Sequence, residues 1–363
     1  MLLSRTAESS SAHAIGCEFM TGPLVECVPN FSEGRDAEVI SAIADAVSGV
    51  SGVTLLDVDS GEDFHRTVIT MVGPPQAVLE AALASTSVAL DSIDMRRHSG
   101  EHARMGAVDV VPFIPIRGVT MQDCVRLAEM FGEIAAERFG IPIYLYAEAA
   151  RTPSRQRLPD IRRGEYEGLE QKLTDPEWAP DFGPADFNAR SGATATGARS
   201  LLIAYNVNLD TDDKSAANRI AGKLRTSGVF RRNEEGAKIV GADGVAERVP
   251  GRFDALQAAG WMFDESTAQV SMNLLDHATT GMHTVTEAIR EEAEKIGLSV
   301  TAGELVGLVP LDALLAAGRF YHAEADSASE ADLVQAAISG LELDRLGPFD
   351  AGARVIEWAA EGA

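Results

Sequence analysis

The sequence has few cysteines, no excess of positive charge and no long apolar run. Three cysteines at no regular spacing among 363 residues fit neither a disulfide framework nor a structural zinc site. A net charge of −24 argues against nucleic acid or an anionic membrane surface as the main partner, because both attract clustered positive charge. No apolar run approaches the roughly 18 to 20 residues of a membrane span. These absences predict a protein of the reducing cytoplasm.

Aromatic residues are also scarce, at 6% of the chain, yet 45% of it is apolar, which supplies a sizeable core. Short apolar runs alternate with stretches of helical spacing, and each half of the chain reads strand, helix, strand, strand, helix, strand. This order predicts an α+β fold of two ferredoxin-like (βαββαβ) subdomains with a helical C-terminal tail. The predicted divisions are a disordered extension over 1–19, subdomains over 20–200 and 201–326, and the tail over 327–363.

Local signals add detail to this outline. Residues 120–123 and 329–332 match capping boxes, which begin helices. The strand predicted over 108–116 contains two prolines, which indicates an edge strand or a bulge. Residues 150–200 are rich in Pro, Gly and Arg with little periodicity, and a stretch of this length without regular structure is typically functional.

The densest polar cluster runs from Asp94 to Gly106 and contains His98 and His102. Its His-Ser-Gly-Glu-His segment matches the H-x-x-E-H pattern of a zinc peptidase, but that site needs a continuous helix and a glycine lies inside the required turn. In a second interpretation one histidine is a general acid or base on a loop, beside arginines that bind an anionic substrate. In a third, both histidines lie exposed on a polar turn.

Three further clusters carry polar or small residues. Carboxylates in the segment 57–61, followed by His65 and Arg66, are placed to face a cleft at a predicted turn, although ordinary turn chemistry explains them equally well. Five arginines between 151 and 163 form a basic island, which is either a ligand site or a patch paired with acidic neighbours. The small-residue loop 183–192 suits close approach of the backbone to a ligand.

Taken in order, several segments closely resemble the formiminotransferase family, found as stand-alone bacterial enzymes and as one half of formiminotransferase-cyclodeaminases. The resemblance spans residue 22 to the end of the chain, and its first ten-residue run is far more specific than a three-position motif. The matching segments are Val-Glu-Cys-Val-Pro-Asn-Phe-Ser-Glu-Gly (25–34), Leu-Leu-Asp-Val-Asp (55–59), Gly-Glu-His with Arg-Met-Gly (100–106), Tyr-Leu-Tyr with Glu-Ala-Ala-Arg (144–151), Trp-Ala-Pro-Asp-Phe-Gly-Pro (178–184) and Leu-Val-Gly-Leu-Val-Pro-Leu (305–311).

The resemblance implies a transferase that moves the formimino group of N-formimino-L-glutamate to N5 of tetrahydrofolate and releases glutamate, in histidine breakdown. Tetrahydrofolate would be a co-substrate, no metal would be required, and the enzyme would be a homodimer. Two alternatives stay open: formyl transfer between 5-formyltetrahydrofolate and glutamate, and a folate-binding protein without turnover. No cyclodeaminase domain is expected.

By the same resemblance, the catalytic histidine falls on His102, whose residue type suits a base that takes a proton from N5. Asp59 is the candidate that stabilises a cationic amidinium. Arg66, Arg104 and Arg151 are candidates for substrate carboxylates, since arginine holds such groups in bidentate pairs. The implied folate-binding loop consists of Gly183, Pro184, Ala185, Asp186, Phe187, Asn188, Ala189, Arg190, Ser191 and Gly192.

The chain departs from the usual pattern of the family at three positions. It has Ser191 where the family usually has Trp, His65 where it has Asn, and Ala103 where it has Pro. The first change removes an aromatic surface expected near the pterin. The other two are expected to affect the choice between formimino and formyl donors.

Overall fold

The computed structural model describes residues 22–100, 102–241 and 244–362. The predicted extension 1–19 and Cys17 lie outside these ranges, while Cys27 and Cys124 are buried free thiols. None of the helices in the described ranges is long and apolar enough to cross a membrane.

The first half of the chain folds around a seven-stranded mixed sheet. Strands β1 and β2 lie one after the other between β4 and β5, and β3 is the outer neighbour of β4. On the other side of β5, strands β7 and β6 extend the sheet in parallel. The elements are β1 (Leu24–Cys27), β2 (Asn30–Phe31), α1 (Ala37–Ser48), β3 (Thr54–Gly61), β4 (Arg66–Gly73), α2 (Pro75–Ser92), β5 (Val108–Arg117), α3 (Met121–Phe139), β6 (Ile143–Ala147), α4 (Leu158–Ile161), α5 (Leu169–Leu173) and β7 (Thr194–Ala198).

The second half forms a four-stranded antiparallel sheet in the order β11-β12-β8-β13. Both halves therefore contain the strand order of a ferredoxin-like βαββαβ unit, which confirms the predicted α+β fold with its helical C-terminal end. A small ribbon, β9 with β10, stands apart from the sheet. The elements are β8 (Ile203–Leu209), α6 (Lys214–Leu224), β9 (Val229–Phe230), β10 (Arg248–Val249), β11 (Leu256–Met262), β12 (Ala268–Leu274), α7 (Met282–Glu294), β13 (Val300–Val306), α8 (Leu311–Tyr321), α9 (Glu330–Gly340), α10 (Ala351–Arg354) and α11 (Ile356–Glu361).

The apolar packing joins the two halves. Helices α1, α2 and α3 cover one face of the first sheet and bury side chains such as Phe31 and Phe131. On the opposite face, Leu24, Val72 and Ile114 belong to the core of the second sheet and of the C-terminal helices. The short helices α4 and α5 cover part of this opposite face, and the second subdomain shares another part of it, which leaves room for a cleft between the two halves.

Two helices begin where the sequence predicts, since capping boxes begin α3 at Thr120 and α9 at Ser329. Strand β5 is not an edge strand, because it lies between β1 or β2 on one side and β7 on the other. The predicted irregularity is present: the pairing of β5 shifts register twice, so the missing N–H groups of its prolines fall in an interrupted ladder.

Two segments predicted as turn or loop are strands. Strand β3 continues to Gly61 because residues 57–61 pair with β4, so Asp57 and Asp59 alternate along a strand and share one of its faces. Residues 194–198 form the interior strand β7, whose Thr194 and Thr196 hydroxyls donate to the carbonyls of β5. Small residues allow β7 to lie close to its neighbours β5 and β6. The same small residues are common in loops, so the composition of the segment did not distinguish a strand from a loop.

Two glycines fix the start of β5 against the residues that precede β7. Gly106 and Gly192 form an antiparallel bridge, and Ala107 N–H donates to the carbonyl of Ser191 at 2.8 Å. Gly192 has φ +67°, and a Cβ there would overlap the carbonyl oxygen of Met105. This contact needs glycine both for its backbone angle and for its space.

We expect Gly192→Ala to lower the melting temperature more than Gly140→Ala. Gly140 ends α3 at φ +64°, with no atom within 4 Å of the position that a Cβ would take. Both variants force a left-handed backbone on alanine, at a cost of about 1 to 2 kcal/mol, but only Gly192→Ala adds a collision with backbone. Calorimetry of the two variants beside the unchanged protein measures this, and equal losses would contradict it.

Candidate active site

His102 lies on a loop that connects a 3₁₀ turn, Met95–Arg97, to strand β5. Both ends of the loop are fixed, because Met95 N–H donates to the carbonyl of Arg190 at 2.9 Å and Met105 N–H donates to Asp109 Oδ1 at 2.9 Å. Asp109 is buried and also forms an ion pair with Arg162. The loop is therefore held at one end by the segment of Arg190 and at the other by Asp109, which Arg162 holds in turn.

The zinc-peptidase interpretation finds no support in this geometry. The residues between His98 and His102 that the structure describes are not helical, and Glu101 lies outside the described residues. Both ring nitrogens of His98 have protein partners: the carbonyl of His65 at 2.8 Å and Arg104 Nε at 3.1 Å. Within the described ranges, no group of three or more His, Cys, Asp or Glu side chains is arranged to hold a metal ion.

The surroundings of His102 favour its neutral form. Its ring is half-buried, and burial, together with the positive charges of Arg66, Arg162 and Arg104, lowers its pKa to about 4. At neutral pH the imidazole is therefore uncharged and has a free lone pair. A neutral imidazole can accept a proton, which is what a general base requires.

Arg66 and Asp59 line a cleft, and the charge of Arg66 acts on His102. Burial lowers the pKa of Arg66, and the negative charge of Asp59 opposes that shift. Among the described residues, no side chain forms an ion pair or hydrogen bond with the Arg66 guanidinium. A half-buried cation without a partner is suited to bind an anion from solution.

The other arginines predicted to bind carboxylates have different surroundings. Arg104 is buried and binds Glu167 at 2.5 Å and Glu165 at 3.0 Å, so its guanidinium is already occupied. Arg151 is exposed, lies 4.0 Å from Asp181, and does not line the cleft. Of the basic island 151–163, Arg162 is the arginine named among the main influences on the pKa of His102, and it is held by Asp109.

The cleft between the subdomains has a volume of about 650 Å³. Its walls come from β3 and β4 of the first sheet and from β8 and β13 of the second. The length of the cleft follows from two of its lining residues, Glu26 and Arg66. Glu26 pairs with Val72, which is six residues from Arg66 along β4, so Glu26 and Arg66 are separated by about 20 Å along the strand at 3.3 Å per residue. Arg199 and Arg354 also line the cleft, and each donates to a backbone carbonyl rather than to a carboxylate.

The predicted folate-binding loop packs beside the His102 loop and does not line this cleft. The ring of Tyr166 packs at a tilt against that of Phe187, and its hydroxyl donates to the carbonyl of Ala189 at 2.5 Å, while Arg190 donates to the carbonyl of Asp91. Ser191 is buried, and its hydroxyl has no hydrogen-bond partner in the part of the chain that the structure describes. Folate binding by this loop stays a prediction.

Comparison with known proteins decides the family. A family model for the N-terminal subdomain of the formiminotransferase domain matches residues 24–199, and one for the formiminotransferase domain matches residues 204–361. This chain belongs to the formiminotransferase domain family.

Several named proteins resemble it over most of its length. Glutamate formimidoyltransferase of Streptococcus pyogenes is 39% identical over 82% of this chain and 93% of that protein. The enzyme of the same name from Thermoplasma acidophilum is 40% identical over 82% of this chain and 92% of its own length. Rat formimidoyltransferase-cyclodeaminase is 49% identical over 92% of this chain, which spans 59% of the length of that relative.

In this formiminotransferase domain, several charged residues of the site were not among the residues predicted from the sequence. Glu26, Asp109, Arg199 and Arg354 are the main ones, and Arg162 was named only as part of the basic island. A usable signal existed for the first two, because Glu26 is the single charged residue of β1 and Asp109 is the single carboxylate of the largely apolar strand β5. A charge in such a position is costly unless it has a partner or a function.

We expect replacement of Arg66 by Met to raise the pKa of His102 from its value of about 4. Among the charges that lower this pKa, Arg66 has the largest effect, while burial and the smaller effects of Arg162 and Arg104 remain when it is removed. NMR titration of the histidine ring signals in both proteins measures the difference. An unchanged titration of His102 would show that Arg66 does not act on it.

We expect Glu26→Gln to gain stability relative to the unchanged protein as the pH rises from 4.5 to 7.5. Burial, with the charge of Glu357 adding and that of Arg199 opposing, raises the pKa of Glu26 from 4.5 to about 7. A raised carboxyl pKa stabilises the fold below the unfolded value, and that contribution is lost as the pH rises to the folded value, by up to about 3 kcal/mol. Melting temperatures measured across this range test it, and a difference independent of pH would contradict it.

Proposed function

We propose that this chain transfers the formimino group from N-formimino-L-glutamate to N5 of tetrahydrofolate, giving 5-formiminotetrahydrofolate and L-glutamate. The observation that carries the proposal is the neutral imidazole of His102, which lies within the electrostatic reach of Arg66, an unpaired guanidinium in the wall of the cleft between the subdomains. Relatives named glutamate formimidoyltransferase, which this chain covers almost completely, support the same reaction.

The reaction needs one group that takes a proton and later returns it. N5 attacks the amidine carbon and forms a C–N bond, and His102 removes the proton that N5 loses. The tetrahedral adduct then breaks its bond to the glutamate nitrogen, which receives the proton from His102 and leaves as an amine. The carboxylate of Asp59, exposed in the cleft, stabilises the positive charge of the amidinium.

Substrate binding would also adjust the base. A glutamate carboxylate held by Arg66 neutralises the charge that, after burial, contributes most to the low pKa of His102. The pKa then rises toward the working pH, where a general base is most effective. In this way the bound substrate prepares the residue that acts on it.

The length of the cleft suits the second substrate. The pterin would lie at the end of Arg66 and His102, and the glutamyl carboxylates of the folate would reach Arg199 and Arg354. Neither of these arginines has a carboxylate partner within 4 Å among the described residues. Binding of carboxylates by arginine is favourable because the guanidinium offers two parallel donors.

Purified protein supplied with formiminoglutamate and tetrahydrofolate is expected to release glutamate, and His102→Ala is expected to remove nearly all of this activity. His322→Ala, in the C-terminal helical region, is the matched control and should keep the full rate. Turnover should persist after treatment with a metal chelator, since no step proposed here uses a metal.

The donor distinguishes the alternatives. Turnover of 5-formyltetrahydrofolate with glutamate that is faster than turnover of formiminoglutamate with tetrahydrofolate would favour formyl transfer. Tight binding of folate without turnover of either pair would favour a binding protein. A rate for His102→Ala close to that of the unchanged protein would reject His102 as the base. The homodimer and the cytoplasmic location stay predictions, and sedimentation of the purified chain tests the first.

A further inference from the structure

Two histidines that the proposed reaction does not use lie stacked behind the active site. The rings of His65 and His98 are 4.2 Å apart between centroids and inclined by 8°. His65 is in the turn that precedes β4, immediately before Arg66, while His98 begins the loop that carries His102. The stack therefore joins the two segments that hold the proposed base and the proposed carboxylate site.

Hydrogen bonds across the stack connect the same two segments in both directions. His98 Nε2 lies 2.8 Å from the carbonyl oxygen of His65, and His65 Nδ1 lies 2.9 Å from the carbonyl oxygen of Ser99. Gly100 follows at once, and a Cβ there would lie 2.6 Å from the Cβ of His65 and would overlap the carbonyl oxygen of Phe64. The loop can approach the turn this closely only because residue 100 is glycine.

The partners determine where the protons of His98 lie. Arg104 Nε can only donate, so His98 Nδ1 must accept, and Nε2 must carry the hydrogen that it donates to the carbonyl of His65. Burial, with the positive charge of Arg104, also lowers the pKa of His98 below its usual value, against the opposing hydrogen bond to the carbonyl. His98 is therefore a neutral ring with one fixed tautomer.

The partners of His65 differ from those of His98, because neither of them is a donor. Its Nδ1 faces the carbonyl oxygen of Ser99, and its Nε2 faces Glu33 Oε1 at 3.1 Å, so both nitrogens face acceptors. Burial raises the pKa of Glu33, but backbone N–H groups of Asp36 and Arg35, together with His65, outweigh that effect and hold it below its usual value. The ionised Glu33 and the Ser99 carbonyl can only accept hydrogen bonds, so His65 is held by acceptors on both sides of its ring.

We propose that the stacked pair of His65 and His98 is a positioning clip for the transfer reaction, which holds the loop of His102 at a fixed distance from the turn of Arg66. The inference rests on the proposed function, because it assigns to the clip the alignment of a base with a bound carboxylate. Neither ring contacts substrate in this assignment, and each acts through the residue that it positions. Alignment of this kind is worth a large factor in rate, since small displacements of a catalytic group are costly.

The clip is tested by variants that separate stacking from hydrogen bonding. His98→Phe keeps an aromatic ring on His65 and removes both polar contacts of His98, and we expect kcat to fall about tenfold or more while the Kd for tetrahydrofolate is unchanged. His65→Ala should have the same effect. His65→Asn should recover most of the lost rate, because asparagine tolerates the φ of +49° and can donate to the carbonyl of Ser99.

A second histidine stack provides the control. His283 stacks on Phe320 at 5.0 Å in the second subdomain, and His283→Phe should leave kcat and Kd as they are. Melting temperatures of all variants, measured alongside, separate loss of fold from loss of alignment. Rates at the level of the unchanged protein in His98→Phe and His65→Ala, or a Kd that weakens as much as kcat falls, would overturn the proposal.

One readout does not depend on turnover. Release of the loop in His65→Ala should move His102 away from Arg66 and Arg162 and raise its pKa, as followed by NMR titration of its ring. An unchanged protein that shows no turnover would reject the proposed function, and the titration alone would then decide on the clip. Identical titration of His102 in His65→Ala and in the unchanged protein would overturn it.

Discussion

Positive charge gathered around one half-buried imidazole is the interaction on which this site depends. Burial first, and then repulsion from Arg66, Arg162 and Arg104, lowers the pKa of His102 and keeps its ring neutral. So many cations could not share this space without acidic partners, and the fold supplies these to two of them. Arg104 binds Glu165 and Glu167, and Arg162 binds the buried Asp109. Arg66 alone lacks such a pair among the described residues, which makes it the place where an anion completes the balance.

The architecture explains why this balance lies in a cleft. A ferredoxin-like unit covers one face of its sheet with its own helices and leaves the other face open. Here the second subdomain and the C-terminal helices cover part of the open face of the first sheet, and the segment with α4 and α5 covers another part. The uncovered remainder is the cleft, and polar side chains of β3 and β4 line it because alternate residues of a strand point to the same side.

The acidic composition of the chain restricts how it can bind anionic substrates. A net charge of −24 opposes the binding of polyanionic substrates, so local arginines have to provide the attraction. Few arginines of the basic island 151–163 are available to bind a substrate. Arg155 is buried against Asp181 at 2.7 Å and Arg163 pairs with Asp160 at 2.9 Å, so most of the basic island serves the fold. The arginines left for ligands are those that line the cleft, which are spread along the sequence.

The sequence by itself determined the succession of strands and helices, the capped helix starts and the loop that carries His102. These features depend on local periodicity and on short motifs, which neighbouring residues encode. Only the tertiary structure decided which charges meet, because Arg162 and Asp109 are 53 residues apart, and Arg104 and Glu167 are 63 apart. It also turned the segment 57–61 from a turn into a strand and the residues after Gly192 into β7, since pairing with a distant strand satisfies backbone groups that composition alone assigns to loops. The physical reason is the same throughout. A buried charge or an unpaired backbone group is unfavourable, and the partners that compensate for it are distant in sequence.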